Sequence, residues 1–221
     1  MQPDFHRKLY GHLAKAVGCR ALIVGYRRTP EHPYPAQLDD ATAAYRWLLA
    51  QGIAPGHCAF AGDSSGGGLA ISAQLAARRA GLPLPAASMT LSAWTDMTLS
   101  GDSYVANRDK DALFRQEIVE GLVQMFLGLD GDRHDPFASP LFADLAGLPP
   151  IYLQAGEDEG LLDDSRQFAA RARQAGVDVR LDVFPGMLRT FQMTAGRAPE
   201  ADDALQRLAA WARPKLGLGA M

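Results

Sequence analysis

The sequence predicts an α/β fold in a single domain over 1–221, a mainly parallel sheet flanked by helices with a small helical lid inserted at about 94–135. Short apolar runs alternate with longer amphipathic segments, which is the signature of strands crossing over through helices. The alternation is broken once, from Trp94 to Leu129, where a polar stretch leads into a second kind of helix. One strand runs directly into a glycine-rich turn and then a helix, at Gly62-Asp63-Ser64-Ser65-Gly66.

Taken in order, Arg7–Val17 reads as a helix and Arg20–Tyr26 (RALIVGY) as a buried strand. Arg28–Pro35 holds three prolines and must be a loop. Ala36–Ala50 carries Leu38, Ala41, Tyr45 and Leu48 at helical spacing. His57–Ala61 is expected to be a strand, Leu69–Ala80 a helix and Ala86–Leu91 a strand. The lid helix is centred on Phe114–Phe126. Beyond a proline-rich turn come a strand at Ile151–Ala155, a helix at Leu161–Ala175, a strand at Val177–Phe184 and a closing helix at Ala201–Leu216. That makes five strands, all parallel.

The bulk numbers narrow the classes. With 48% apolar and 21% charged residues the composition is that of an ordinary globular chain, and 221 residues can bury a substantial core. A net charge of −3 with scattered Lys and Arg gives no basic surface for nucleic acid. The start has no basic region followed by an apolar one, and no apolar run is long enough for a membrane span, so a cytoplasmic protein is expected. Cys19 and Cys58 both lie in apolar settings and are expected to be buried free thiols.

Ser64 is the candidate nucleophile. A G-x-S-x-G match is weak alone, but here it joins a predicted strand to a predicted helix, as a nucleophile elbow requires. The turn is sharp, so bulk is excluded, and Gly62, Gly66, Gly67 and Gly68 meet that demand. The hydroxyl would sit at a helix N-terminus, where the Ser65 N–H is the first oxyanion donor. A glycine–serine turn that merely caps a helix would need one glycine rather than four. The similar GDSGG of trypsin-like proteases belongs to antiparallel barrels with His and Asp ahead of Ser, whereas an Ala-rich helix follows Ser64 here.

Four ordered motifs carry a resemblance: Tyr26–Ala36 (YRRTPEHPYPA), Gly62–Leu69 (GDSSGGGL), Asp135–Leu148 (DPFASPLFADLAGL) and Gly156–Ser165 (GEDEGLLDDS). Together they resemble the bacterial hormone-sensitive-lipase-like esterases, with monoterpene lactone hydrolase-type members especially similar in the lid and C-terminal third. The resemblance implies the α/β-hydrolase fold, here with N-terminal strands missing, and hydrolysis of small apolar carboxylic esters or lactones through a serine acyl-enzyme, without metal or cofactor. It makes Ser64 the nucleophile and Glu159 the acid that orients and stabilises the base, with Asp158 the adjacent alternative. A solvated Glu159 entering a helix N-terminus is the competing reading. A homodimer through the final strand and helix is a further implication. Glu31 and His32 are expected to brace their loop rather than to perform chemistry.

Two features depart from the family pattern. Relatives carry histidine after the last strand in a P-G-M-x-H-x-F pattern, but Pro185–Phe191 reads PGMLRTF, so Arg189 occupies the expected His position. An arginine side chain stays protonated and cannot accept the serine proton. The five histidines are His6, His12, His32, His57 and His134, and none follows Glu159. Arg189 is expected to form a bidentate ion pair with Glu159. Relatives also have an HGGG-type loop that completes the oxyanion hole, and no HGG occurs in this sequence. Gly25 and Ala93 stand where relatives tend to have Asp and Pro. Three readings stay open: a weak esterase or lactonase, a non-catalytic binding relative, and a truncated inactive fragment. Met97, Leu113, Phe114, Met125 and Phe126 are candidates for an apolar substrate pocket, each also explicable as helix packing.

Overall fold

In a computed structural model the described residues are 3–111 and 114–219. Leu113 therefore lies outside them. Eleven elements follow in chain order: α1 (Pro3–Val17), α2 (Ala36–Ala50), β1 (Ala59–Asp63), α3 (Ser65–Arg79), β2 (Ala87–Leu91), the single turn α4 (Ser103–Ala106), α5 (Gln116–Leu127), β3 (Ile151–Gly156), α6 (Leu162–Gln174), β4 (Val179–Phe184) and α7 (Pro199–Lys215). The strands form one parallel sheet in the order β1-β2-β3-β4.

The strand expected at Arg20–Tyr26 is not formed: these residues have no regular secondary structure and pair with no strand, and the sheet has four strands among the described residues, not five. Local apolar character is not sufficient for a strand, because backbone N–H and C=O groups need a neighbouring ladder. Leu22 is half exposed as a result. The cysteine expectation also needs correcting for Cys19, which is exposed, while Cys58 is buried; both thiols are free. Cys19 follows Gly18, whose φ of +76° turns the chain out of α1 at the surface.

Two apolar layers sandwich the sheet. On one face Leu9, Leu13 and Val17 of α1 and Leu205 and Leu208 of α7 pack on Met89, Leu91 and Tyr152. On the other, Ile71 and Leu75 of α3 and Phe168 of α6 pack on Ile151 and Leu153. Residues 151, 152 and 153 thus alternate between faces, as the two-residue strand period demands. Between β2 and β3, Trp94, Met97, Leu99, Tyr104, Phe114, Val119 and Val123 form a separate apolar cluster with Leu161, which follows β3. The carboxylate of Asp164 pins this segment to α6, accepting the N–H groups of Thr95 (2.8 Å) and Asp96 (2.9 Å) and the Tyr104 hydroxyl (2.9 Å). Burial pushes the pKa of Asp164 up to about 8.

Candidate active site

The four adjacent parallel strands end on the same edge, and the residue of interest lies shortly after each: Ser64 after β1, Ser92 after β2, Glu159 after β3 and Arg189 after β4. That edge is where open α/β sheets bind ligands.

Ser64 is held in a backbone conformation that non-glycine residues seldom adopt, φ 54° and ψ −121°. Four hydrogen bonds fix it. Its N–H donates to Leu91 C=O (2.9 Å), and its carbonyl accepts from Gly67 (3.0 Å), Gly68 (3.2 Å) and Trp94 (3.0 Å). A side chain at Gly62 would collide with the Gly66 backbone, and one at Gly68 with the Trp94 carbonyl. Gly67 lies tight against Ala93. Only Gly66 has room, the nearest atom to an added Cβ being the Tyr26 hydroxyl at 4.0 Å. Three of the four glycines are therefore steric requirements of the elbow.

Glu159 is fully buried, so the reading of a solvated glutamate at a helix start is corrected. Its Oε2 accepts the Ser92 hydroxyl (2.7 Å) and the Gly156 N–H (2.8 Å), whereas its Oε1 has no partner. Burial raises its pKa to about 7, opposed by the Ser92 and Gly156 hydrogen bonds and by attraction from Arg189. The adjacent Asp158 instead pairs with Lys110 (2.6 Å). Ser92 also accepts the Thr190 N–H (2.9 Å), so one hydroxyl ties the loop after β4 to the acid.

Arg189 does not form the expected ion pair with Glu159. Its Nη1 donates to Ser64 Oγ at 3.0 Å, and its guanidinium carbon lies 4.0 Å from the centre of the Phe114 ring. Its Nε is buried without a partner. The stacking on Phe114 and the bond to Ser64 hold the guanidinium, while Ser92 and Gly156 already occupy Glu159 Oε2. Of the other pocket candidates, Met97 is buried in packing, Met125 is exposed, and Phe126 stacks edge-on against Tyr34 (5.3 Å). Phe114 touches this constellation, through the stacked Arg189 guanidinium.

A family profile described as the alpha/beta hydrolase fold matches residues 1–193. The chain belongs to the alpha/beta hydrolase family. It is 39% identical over 217 residues to an acetyl-hydrolase of Streptomyces hygroscopicus, covering 98% of this chain and 72% of that protein. It is 38% identical to an esterase of Acinetobacter venetianus, covering 94% of this chain and 68% of the relative. A crystal structure of an esterase from the bacterial hormone-sensitive lipase family superimposes with a TM-score of 0.93 at 44% identity, covering 96% of this chain and 71% of that one. This places the hydrolase in the hormone-sensitive-lipase branch.

Several residues of the hydrolase that shape the elbow escape a reading of the sequence. Asp63, immediately before Ser64, accepts the Tyr10 hydroxyl (2.7 Å) and lies 3.0 Å from His6 Nε2, which anchors α1 behind the elbow. Tyr26 lies beside Ser65, and burial together with the Asp63 charge pushes its pKa up. Elsewhere His57 Nδ1 meets the Leu216 carbonyl (2.9 Å) and His134 is exposed against Phe142. The Ser64 hydroxyl meets Arg189. His32 and Glu31 are exposed, and the His32 carbonyl braces the loop by accepting Gln37 Nε2 (2.7 Å). Among the described residues no helix is long and apolar enough to cross a membrane.

Proposed function

We propose that the hydrolase is built for small apolar carboxylic esters or lactones, with Ser64 as the acyl-accepting nucleophile, Glu159 as the acid and the Ser65 N–H as oxyanion donor, and that turnover is strongly impaired. The observation that carries this reading is the 3.0 Å bond from Arg189 Nη1 to Ser64 Oγ. A triad base stands on the hydroxyl and takes its proton as the Oγ–acyl bond forms; a guanidinium in that place can only donate. Loss of the base lowers kcat by roughly four to six orders of magnitude. Residues at about 94–135 form the lid, with Phe114 facing the reacting group.

The rest of the machine supports this assignment. Ser64 is strained in the manner of an elbow, and the relatives named above are an acetyl-hydrolase and esterases. The half-buried guanidinium favours a second reading, a non-catalytic relative that binds ligands at the same place.

A fluorophosphonate probe tests the nucleophile directly, because Ser64 Oγ displaces fluoride and keeps the phosphorus. In Arg189→His, peptide mass spectrometry is expected to find the adduct on Ser64, with slow labelling of the native chain and none when Ser64→Ala is added. Adducts on another residue, or none in Arg189→His, would refute the assignment.

A further inference from the structure

Arg189 is a half-buried cation that touches no carboxylate among the described residues. Other arginines of this chain are matched: Arg27 with Asp40, Arg133 with Glu120, Arg180 with Asp182 and Arg207 with Asp203. Glu159 attracts this cation without bonding to it, and the buried Nε of Arg189 leaves a donor unused, which is costly for a partly desolvated group.

The donors around it converge. Ser64 Oγ accepts from Arg189 Nη1, so the hydroxyl proton is left to donate. Ser65 opens the 15-residue helix α3, and its N–H donates to no backbone or side-chain acceptor among the described residues. The carboxylate of Glu159 is engaged on Oε2 by Ser92 and Gly156 and makes no ion pair with the guanidinium. The guanidinium is stacked on the Phe114 ring.

We infer that the Ser64–Arg189 pair forms a receptor site for a small monocarboxylate. A guanidinium, a hydroxyl and a helix-opening N–H are all donors, and a carboxylate is all acceptor, with two oxygens to match a guanidinium fork. A neutral ester offers one carbonyl oxygen and no charge. The short apolar tail of the acid lies along Phe114. This inference rests on the reading of Ser64 and Arg189 given above, and it converts the impaired esterase site into one that holds the acid half of an ester.

The test is titration of the native 221-residue chain with sodium butyrate, butyramide, sodium phosphate and sodium chloride at matched ionic strength. Calorimetry gives affinity, and the arginine Nε–H region of a nitrogen–proton spectrum reports on the guanidinium. Butyrate is expected to bind saturably, at least about tenfold tighter than butyramide or phosphate, and to move a single Nε–H resonance that is missing in Arg189→Gln. The same variant is expected to lose about ten- to hundredfold in butyrate affinity, and Ser64→Ala about threefold or more. Equal binding of butyrate and butyramide overturns the proposal on the native protein alone, whatever the variants do. So does phosphate binding tighter than butyrate, or butyrate binding that leaves the Arg189 resonance in place. Labelling of Ser64 in Arg189→His together with absent butyrate binding would sink the receptor and leave the esterase reading standing. Butyrate binding with no labelling would do the reverse.

Discussion

Replacing Glu159 by Gln should change the pH dependence of stability more than stability itself. The carboxyl is fully buried, and burial lifts its pKa from 4.5 to about 7. Between those values the native state keeps a proton that the unfolded chain has released. Stability must therefore fall as pH rises through this window and level off above about 7. At 1.36 kcal/mol per pH unit the loss amounts to about 3 kcal/mol. In Glu159→Gln the amide oxygen would keep the Ser92 and Gly156 donors, while the NH2 group would fall where Oε1 now lacks a partner, a fixed cost of about 1 kcal/mol. The difference between native and variant should thus be near zero at pH 5 and favour the variant by about 2 kcal/mol at pH 8. Urea unfolding of both from pH 5 to 8 measures it, and Asp164, present in each, cancels. A difference constant to within about 0.5 kcal/mol across that range would refute the account of Glu159 as a desolvated acid.

Other substitutions probe the elbow and its supports. Gly62→Ala drives a methyl into the Gly66 backbone and should cost at least about 3 kcal/mol, whereas Gly66→Ala, with only the Tyr26 hydroxyl 4.0 Å away, should stay within about 1 kcal/mol; parallel urea melts decide. Ser92→Ala removes the donor to Glu159 and the acceptor of the Thr190 N–H, a loss of about 2 kcal/mol by the same assay. Tyr10→Phe strips one hydrogen bond from Asp63 and should lower stability by about 2 kcal/mol in chemical denaturation.

What is legible in the sequence is local. Gly62 to Gly68 can be read as an elbow because strand, turn and helix are contiguous, and Glu159 because it follows β3 within a recognisable motif. The parts that need coordinates are long-range. RALIVGY has the composition of a strand, but a strand exists only with a ladder partner, and that is decided by other segments. The hold of Ser92 on Glu159 spans 67 residues and that of Tyr10 on Asp63 spans 53, with no periodicity to announce either. The motif puts Arg189 near the site, yet charge alone suggests Glu159 as its partner. Stacking on Phe114, far earlier in the chain, and the bond to Ser64 decide otherwise.

In the proposed function Ser64 is a competent nucleophile blocked by Arg189. It is tested most directly by the hydrolysis of p-nitrophenyl butyrate by the native chain, Arg189→His and Ser64→Ala side by side. Near-blank rates are expected for the native chain and Ser64→Ala, and a gain of at least about a hundredfold for Arg189→His. Equal, blank-level rates in all three proteins would contradict it.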